Sequence, residues 1–354
     1  MPANPSHSGL VAQGWNWSLA DAKTFVQNNG CICIGQNYTT DDGKTRLYMD
    51  IDEFTVGANV NLTVHLEEQS QVTVDFGDGS STITLTGTGN KSTSHTYNTI
   101  GKYVMTFTVV SGKLRLGYWG SNSSIFLNST SAHRKACASV KKIEVGDDCI
   151  GFTRTACTYL YNMESVSLPK SATKIGETSV SGCFGYTSLH GLVLPPSVEL
   201  FGTTGLTTYA PVTLVSFPST PVHVCLGVSS SLRMLTANVT DFGQNACTSA
   251  YRLQYVAIPG EYTTIPSYTV SQTNTTGELV VPATVTAIND YGLNNYHGTV
   301  RMKPTTPPTM PNKRAIDSVD TIYVPYSADH SILNAYQTAT NWSQIATKIA
   351  EESQ

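Results

Sequence analysis

Two carboxylates and an imidazole are the first residues with the spacing for chemistry. Asp75 and Asp78 flank a glycine in Val74-Asp75-Phe76-Gly77-Asp78-Gly79-Ser80, and His95 follows in Ser94-His95-Thr96-Tyr97. Two acids on one turn can hold a cation. Calcium, however, takes six to eight oxygens, and few other acids lie nearby. The spacing fits better a pair that satisfies the backbone amides of its own turn, with His95 as a structural hydrogen-bonder. The expectation is no metal, with Asp75 and Asp78 as the weak candidates. No G-x-S-x-G, H-E-x-x-H, P-loop or G-x-G-x-x-G signature occurs. The eight histidines are scattered. A glycan-cleaving site needs two carboxylates roughly 5–9.5 Å apart, and only Glu144 and Glu278 stand out on the repeat strands described below. The expectation is therefore a protein that is not an enzyme and uses no cofactor.

Tyrosine offers binding instead. The chain holds 18. Tyr159, Tyr161, Tyr186, Tyr209, Tyr251, Tyr255, Tyr291 and Tyr296 fall in or near repeat loops and strand faces. Tyrosine supplies rigid amphipathic contact area for sugars or partner side chains. About half of these rings are expected to fill the interior instead.

Composition narrows the classes. The 354 residues are 40% hydrophobic but only 13% charged, about half the usual ~25%. The net charge is −4 and the pI about 6.0, which argues against a nucleic-acid binder needing a basic face. Mean hydropathy is −0.12, and no apolar run is long enough to insert as a membrane helix. The opening MPANPSHSGLVAQGWNWSLADAK has neither the basic nor the apolar segment of a secretory leader. This predicts a chain that does not use the ordinary secretory route.

The elements that must position these residues divide the chain in four. Residues 1–43 read as an N-terminal attachment segment. It has a helix over 18–29, capped by Ser18, a strand at Cys31-Ile32-Cys33-Ile34 and a turn at Asp41-Asp42-Gly43. Residues 44–117 alternate apolar and polar in LYMDI, VNLTVHL, QVTVDF, STITLTG and KYVMTFTVV, the pattern of a β-sandwich of roughly seven short strands. The Phe76-Gly77-Asp78-Gly79 turn, His95-Thr96-Tyr97 and Gly101-Lys102-Tyr103-Val104-Met105 together resemble the PKD domain. That resemblance implies an immunoglobulin-like sandwich.

Residues 118–326 repeat. Apolar residues recur as φxxφxφ, usually before proline: Met163, Val166, Leu168 before Pro169; Leu189, Leu192, Leu194 before Pro195; Leu253, Val256, Ile258 before Pro259. The positions after each triplet are 146, 169, 195, 218, 238, 259, 282, 303 and 325, in steps of 20 to 26 residues. Such a period predicts a solenoid in which each triplet lays down one short strand and proline ends it. Outward positions such as Ser165, Ser167, Gly191, Val193, Tyr255, Ala257, Glu278 and Val280 form a mild face. Cys157, Cys183, Cys225 and Cys247 recur at one repeat position, which favours stacked buried thiols over disulfides. The unit Gly182-Cys183-Phe184-Gly185-Tyr186-Thr187-Ser188-Leu189-His190-Gly191-Leu192-Val193-Leu194-Pro195 resembles the BspA-type leucine-rich repeat. Residues 327–354 carry apolar residues at helical spacing and predict a C-terminal capping helix.

The expected fold is mainly β: an immunoglobulin-like β-sandwich, then a leucine-rich-repeat solenoid with a C-terminal capping helix. The module order resembles bacteriophage structural proteins of the tail-fibre or head-decoration kind. That resemblance implies a virion surface protein. Its N-terminal segment would attach to other virion proteins, and its repeats would bind a host-surface glycan or protein. The alternatives are a bacterial cell-surface BspA-like adhesin and a purely architectural virion protein. Neither nucleic acid nor membrane insertion is expected. A homo-oligomer is allowed, although no heptads or collagen-like tracts build one.

Overall fold

The computed structural model describes residues 1–29, 31–120, 124–126, 131–153, 155–175, 183–201, 212–220, 222–224, 234–236, 239–242, 252, 255–258, 262–270 and 277–353. The φxxφxφ triplets become a stack of parallel strands. Gly191–Val193 pairs with Leu214–Ser216, and Met234–Thr236 links that strand to Tyr255–Ala257. Glu278–Val281, Thr299–Met302 and Thr321–Val324 follow. The central apolar residue sets the register: Val256 lies opposite Leu279, Leu279 opposite Val300, and Val300 opposite Ile322. Leu279, Val300 and Ile322 are wholly buried, as are Leu194, Phe217, Val281 and Met302. Each contributes about 1.5–3 kcal/mol of burial. A second sheet forms from the return segments, among them Lys174–Ile175, Leu200–Phe201, Val222–Val224 and Val239–Phe242, again in parallel.

The first coil contributes a helix α2 (Ser131–Ser139) and two strands that we label after those preceding them: β1 (Leu10–Trp15), β2 (Gln36–Thr40), β3 (Thr45–Ile51), β4 (Asn59–Asp75), β5 (Ile83–Thr96), β6 (Gly101–Ser111), β7 (Leu114–Leu116), β8 (Val140–Glu144) and β9 (Cys149–Phe152). β3 to β7 do not establish the expected two-sheet sandwich of about seven strands. They are five strands in one hydrogen-bonded sheet, ordered β3-β6-β4-β7 with β5 on β4. β4 runs 17 residues because its bulge between Leu66 and Ser70 bends the strand without ending it; such a bulge adds twist locally.

This sheet continues into the second solenoid sheet on one side and into the first two triplet strands, β8 and Ser165–Ser167, on the other, whereas the eight-stranded sheet from Gly191–Val193 onward is separate. β3 pairs antiparallel with β8, placing Leu47 opposite Ile143. β7 pairs parallel with β9, placing Leu116 opposite Phe152. The boundary expected at residue 117 thus runs through continuous hydrogen bonding, and Leu47, Phe107, Leu116, Ile143 and Phe152 share one apolar core. The β unit caps the array.

At the other end, the tail is not one helix. α3 (helix Ser331–Thr338; the first, α1, spans Leu19–Asn29) ends at Ala339, whose backbone is extended. Asn341 takes φ 67°. A 3-10 turn at Ser343–Lys348 follows, and then a final strand, Ile349–Glu351, pairs with Thr321–Val324. Trp342 and Tyr336 pack at 4.9 Å under this cap, and their polar atoms donate to the carbonyls of Pro308 and Pro304.

The N-terminal segment also differs from expectation. α1 is capped by the Ser18 hydroxyl, which accepts from Asp21 N–H at 3.0 Å. Cys31–Ile34 is not a strand, because the carbonyls of Cys33 and Gly35 turn to Ser216 and Asn16. β1 and β2 instead form a separate two-stranded sheet. The side-chain atoms Gln36 Nε2, Asn37 Nδ2, Asn37 Oδ1 and Thr40 Oγ1 on β2 are buried without a hydrogen-bond partner in the protein, a situation that costs about 1–3 kcal/mol per group.

Because the cap and the array share one core, truncating the cap should unfold both. Phe107→Ala removes a wholly buried ring and is expected to cost about 3–5 kcal/mol. Urea unfolding followed by circular dichroism and by tryptophan fluorescence should give one coincident, lowered transition.

Candidate functional site

The coil edge between the two sheets carries the tyrosines in stacked pairs. Tyr159 and Tyr186 stack with centroids 4.9 Å apart and planes at 20°. Tyr161 flanks them at 6.0 Å and 6.4 Å. Further along, Tyr268 and Tyr291 stack at 5.0 Å and 5°. All five rings are half-buried. The backbone explains the stacking. Tyr159 N–H donates to the Gly185 carbonyl at 2.9 Å, and Tyr268 N–H to the Tyr291 carbonyl at 3.1 Å. Neighbouring coils therefore hold their rings one strand spacing apart.

These four stacking tyrosines share an unusual conformation. Their φ values are 70°, 58°, 59° and 58° for Tyr159, Tyr186, Tyr268 and Tyr291. A bulky side chain in the left-handed region costs about 1–2 kcal/mol. Such strain persists only where surrounding structure over-determines it, and it clusters at functional sites. The second stack ends in a polar group. The Arg314 guanidinium lies 4.9 Å from the Tyr291 centroid. It donates to Asp290 at 3.2 Å and to Asn312 at 3.1 Å, and Asn312 donates to Asp290 at 3.0 Å.

Of the eight candidate tyrosines, about half of which were expected inside, Tyr159, Tyr161, Tyr186 and Tyr291 line this edge. Tyr296 does not: it is 1% exposed, with its ring against Gly298, where a β-carbon would crowd it. Tyr255 opens a strand of the first sheet. Tyr209 and Tyr251 lie outside the described residues. Tyr268, Asp290, Asn312 and Arg314 went unrecognised in the sequence; the 23-residue step from Tyr268 to Tyr291, one repeat period, is the signal for the first of them. On the strand face, Val280 is buried and Glu278 is paired with Arg301 at 2.7 Å.

The acid pair of the cap binds its own turn. Asp75 accepts from Gly77 N–H at 2.8 Å and Asp78 from Ser80 N–H at 3.1 Å. His95 Nε2 lies 2.7 Å from Asp78 Oδ2, and its ring stacks on Phe76 at 4.1 Å. Partial burial opposes ionisation of Asp78, but the Ser80 and His95 hydrogen bonds outweigh it and hold the carboxyl below its usual range. Among the described residues no group of three His, Cys, Asp or Glu is placed to hold a metal ion.

Two of the four register cysteines stack as expected. Cys157 and Cys183 are buried, and Cys157 N–H donates to the Cys183 carbonyl at 3.0 Å. Cys225 and Cys247 lie outside the described residues. The BspA type leucine rich repeat region model matches residues 128–224 and 225–299, in six copies. Residues 128–299 carry BspA-type leucine-rich repeats. The BspA-type array therefore contains Tyr159, Tyr186, Tyr268 and Tyr291, whereas the strands at Thr299–Met302 and Thr321–Val324 carry the same sheet past the match and Arg314 lies beyond it in a 3-10 turn. No curated protein matches the sequence.

Two measurements test this geometry. Tyr291→Ala keeps the left-handed cost without the ring, whereas Tyr291→Gly removes both. Tyr291→Gly should therefore be the more stable of the two by about 1 kcal/mol in urea unfolding; the reverse order would contradict the backbone assignment. Second, burial pushes the Cys149 thiol up to about 11. The unfolded chain then loses that proton first, near pH 9, so stability present below pH 9 is lost as pH rises towards 11. The urea midpoint should fall over this window, and fall less in Cys149→Ala.

Proposed function

We propose that the protein is a surface adhesin-type repeat protein without catalytic activity, and that the tyrosine edge of its BspA-type array is the contact surface. The observation that carries this reading is the pair of strained, half-exposed tyrosine stacks. A coil edge needing only to turn would use glycine or asparagine at a positive φ. Tyrosine there places phenol hydroxyls and ring edges in rows set by the coil spacing. Such rows suit a repeating polymer or a flat protein surface. Rigid rings lose little entropy on contact. The low charge of the chain leaves hydrogen bonding and stacking, rather than ion pairing, to supply affinity.

The proposed setting is a bacterial cell surface, and the proposed ligand a glycan or protein of an opposing surface. The test uses the labelled full-length chain on a printed panel of neutral and acidic oligosaccharides and on immobilised extracellular proteins. Native protein is expected to bind saturably. Tyr186→Ala/Tyr291→Ala should bind about tenfold or more weakly with an unchanged circular dichroism spectrum. Failure of the native chain on both panels, or equal binding by the variant, overturns the reading. Antibody labelling of intact cells supports the setting; labelling confined to phage particles overturns it.

A further inference from the structure

The N-terminal segment meets the first solenoid sheet through Asn16, Trp17, Cys33 and Gly35, and Asn16 makes most of the hydrogen bonds. Asn16 Nδ2 sits within hydrogen-bond distance of four acceptors: the carbonyls of Leu194 at 3.3 Å, Ser216 at 3.1 Å and Phe217 at 3.2 Å, and Ser216 Oγ at 2.8 Å. Its Oδ1 accepts from Gly35 N–H at 2.9 Å. Beside it, Trp17 Nε1 donates to the Phe217 carbonyl at 2.6 Å, and Ser219 N–H donates to the Asn16 carbonyl at 3.0 Å. Ser216 Oγ donates to the Cys33 carbonyl at 2.8 Å. Asn16 is 1% and Trp17 4% exposed. The solenoid thus presents a cage of main-chain carbonyls that reads a carboxamide, next to a site for an indole.

Three further features set this contact apart from the core. Among the described residues no strand of the segment pairs with the body, and β1 and β2 pair with each other. The segment joins the body through the four residues between Thr40 and Thr45. Its β2 strand buries the unpartnered atoms of Gln36, Asn37 and Thr40. The face it covers is also distinct. Against the segment the outward residues are Val193 and Ser216, with Leu214 exposed beside them. Further along the same sheet they are Glu278, Arg301 and Tyr323, tied by ion pairs that also engage Glu352.

We propose that this neutral face is a docking site for an extended polypeptide partner carrying a carboxamide beside an aromatic residue, and that residues 1–40 occupy it in cis as an autoinhibitory strap. The partner competes for the Leu194, Ser216 and Phe217 carbonyls and displaces the strap. This site is separate from the tyrosine edge and stands whether or not that edge binds.

Gly35 supplies the lever. It packs so tightly on Val193 that a β-carbon there would collide with that side chain. Gly35→Val therefore lifts the strap without altering the solenoid, and Asn16→Ala is a second route to the same end. The probe is a fluorescein-labelled synthetic peptide of residues 10–36, kept reduced, titrated by anisotropy into full-length protein. Both variants should bind it about tenfold or more tightly than the native chain, whose own strap competes. The same peptide carrying Asn16→Ala should lose that binding. Hydrogen exchange reports the strap directly: the Ser219 amide should exchange faster in both variants, while the Thr299 amide, which donates to the Gly277 carbonyl inside the array, should not change. Equal peptide binding by native chain and variants overturns the proposal. So does absent binding by variants whose Ser219 amide is released, or binding indifferent to Asn16 in the peptide. Unchanged Ser219 protection in both variants overturns the contact itself.

Discussion

A solenoid coil cannot bury its own apolar face, and this single constraint organises the molecule. Each φxxφxφ strand covers its inner residues only by stacking on the next coil. Every stack therefore has two open ends, each with exposed apolar side chains and unpaired strand edges. The chain closes the first end with β3, which pairs with the first triplet strand β8, and β7, which extends the return-segment sheet, joining them into one cap. It closes the second with Trp342 and Tyr336 beneath a short helix, then adds one more strand, Ile349–Glu351. Lys348 reinforces that closure by donating to the carbonyls of Asp317 and Val319 at 2.6 Å and 2.9 Å.

Once the ends are closed, what remains outside is a set of surfaces with different chemistry. The coil edge carries stacked tyrosines in a strained backbone. The strand face is neutral where the N-terminal segment lies and charged beyond it. The paired acid and imidazole of Asp78 and His95 are committed to a turn. Surface presentation is the function we propose for such a scaffold.

The repeats were legible because one physical rule wrote them. Burial every third and second residue, followed by proline, leaves a period that survives substitution at the outward positions. Register followed as well, with Val256, Leu279, Val300 and Ile322 aligned as their spacing demands. The caps were less legible because their rules are non-local. Glu67, Glu68 and Gln69 look like a loop, yet they sit inside one bent strand. The C-terminal tail reads as one helix until Ala339 and Asn341, where packing on the last coil overrides the helical period. Tyr296 shows the same limit at a single residue, since nothing local distinguishes an interior ring from one on the edge. Placement on a phage particle rested on a resemblance in module order and on the pattern of the opening residues, and neither is chemistry from which to argue location.

The direction of the strands has a mechanical consequence. They run across the axis along which coils stack, so tension along that axis pulls neighbouring coils apart rather than sliding strands past one another. The ladder is then loaded at one junction at a time. A chain stretched between two surfaces would yield coil by coil, each step of 20 to 26 residues releasing about 65–95 Å of slack. The array would act as a serial shock absorber, while the antiparallel cap, whose long β4–β5 hairpin holds its own hydrogen bonds, stays folded longest.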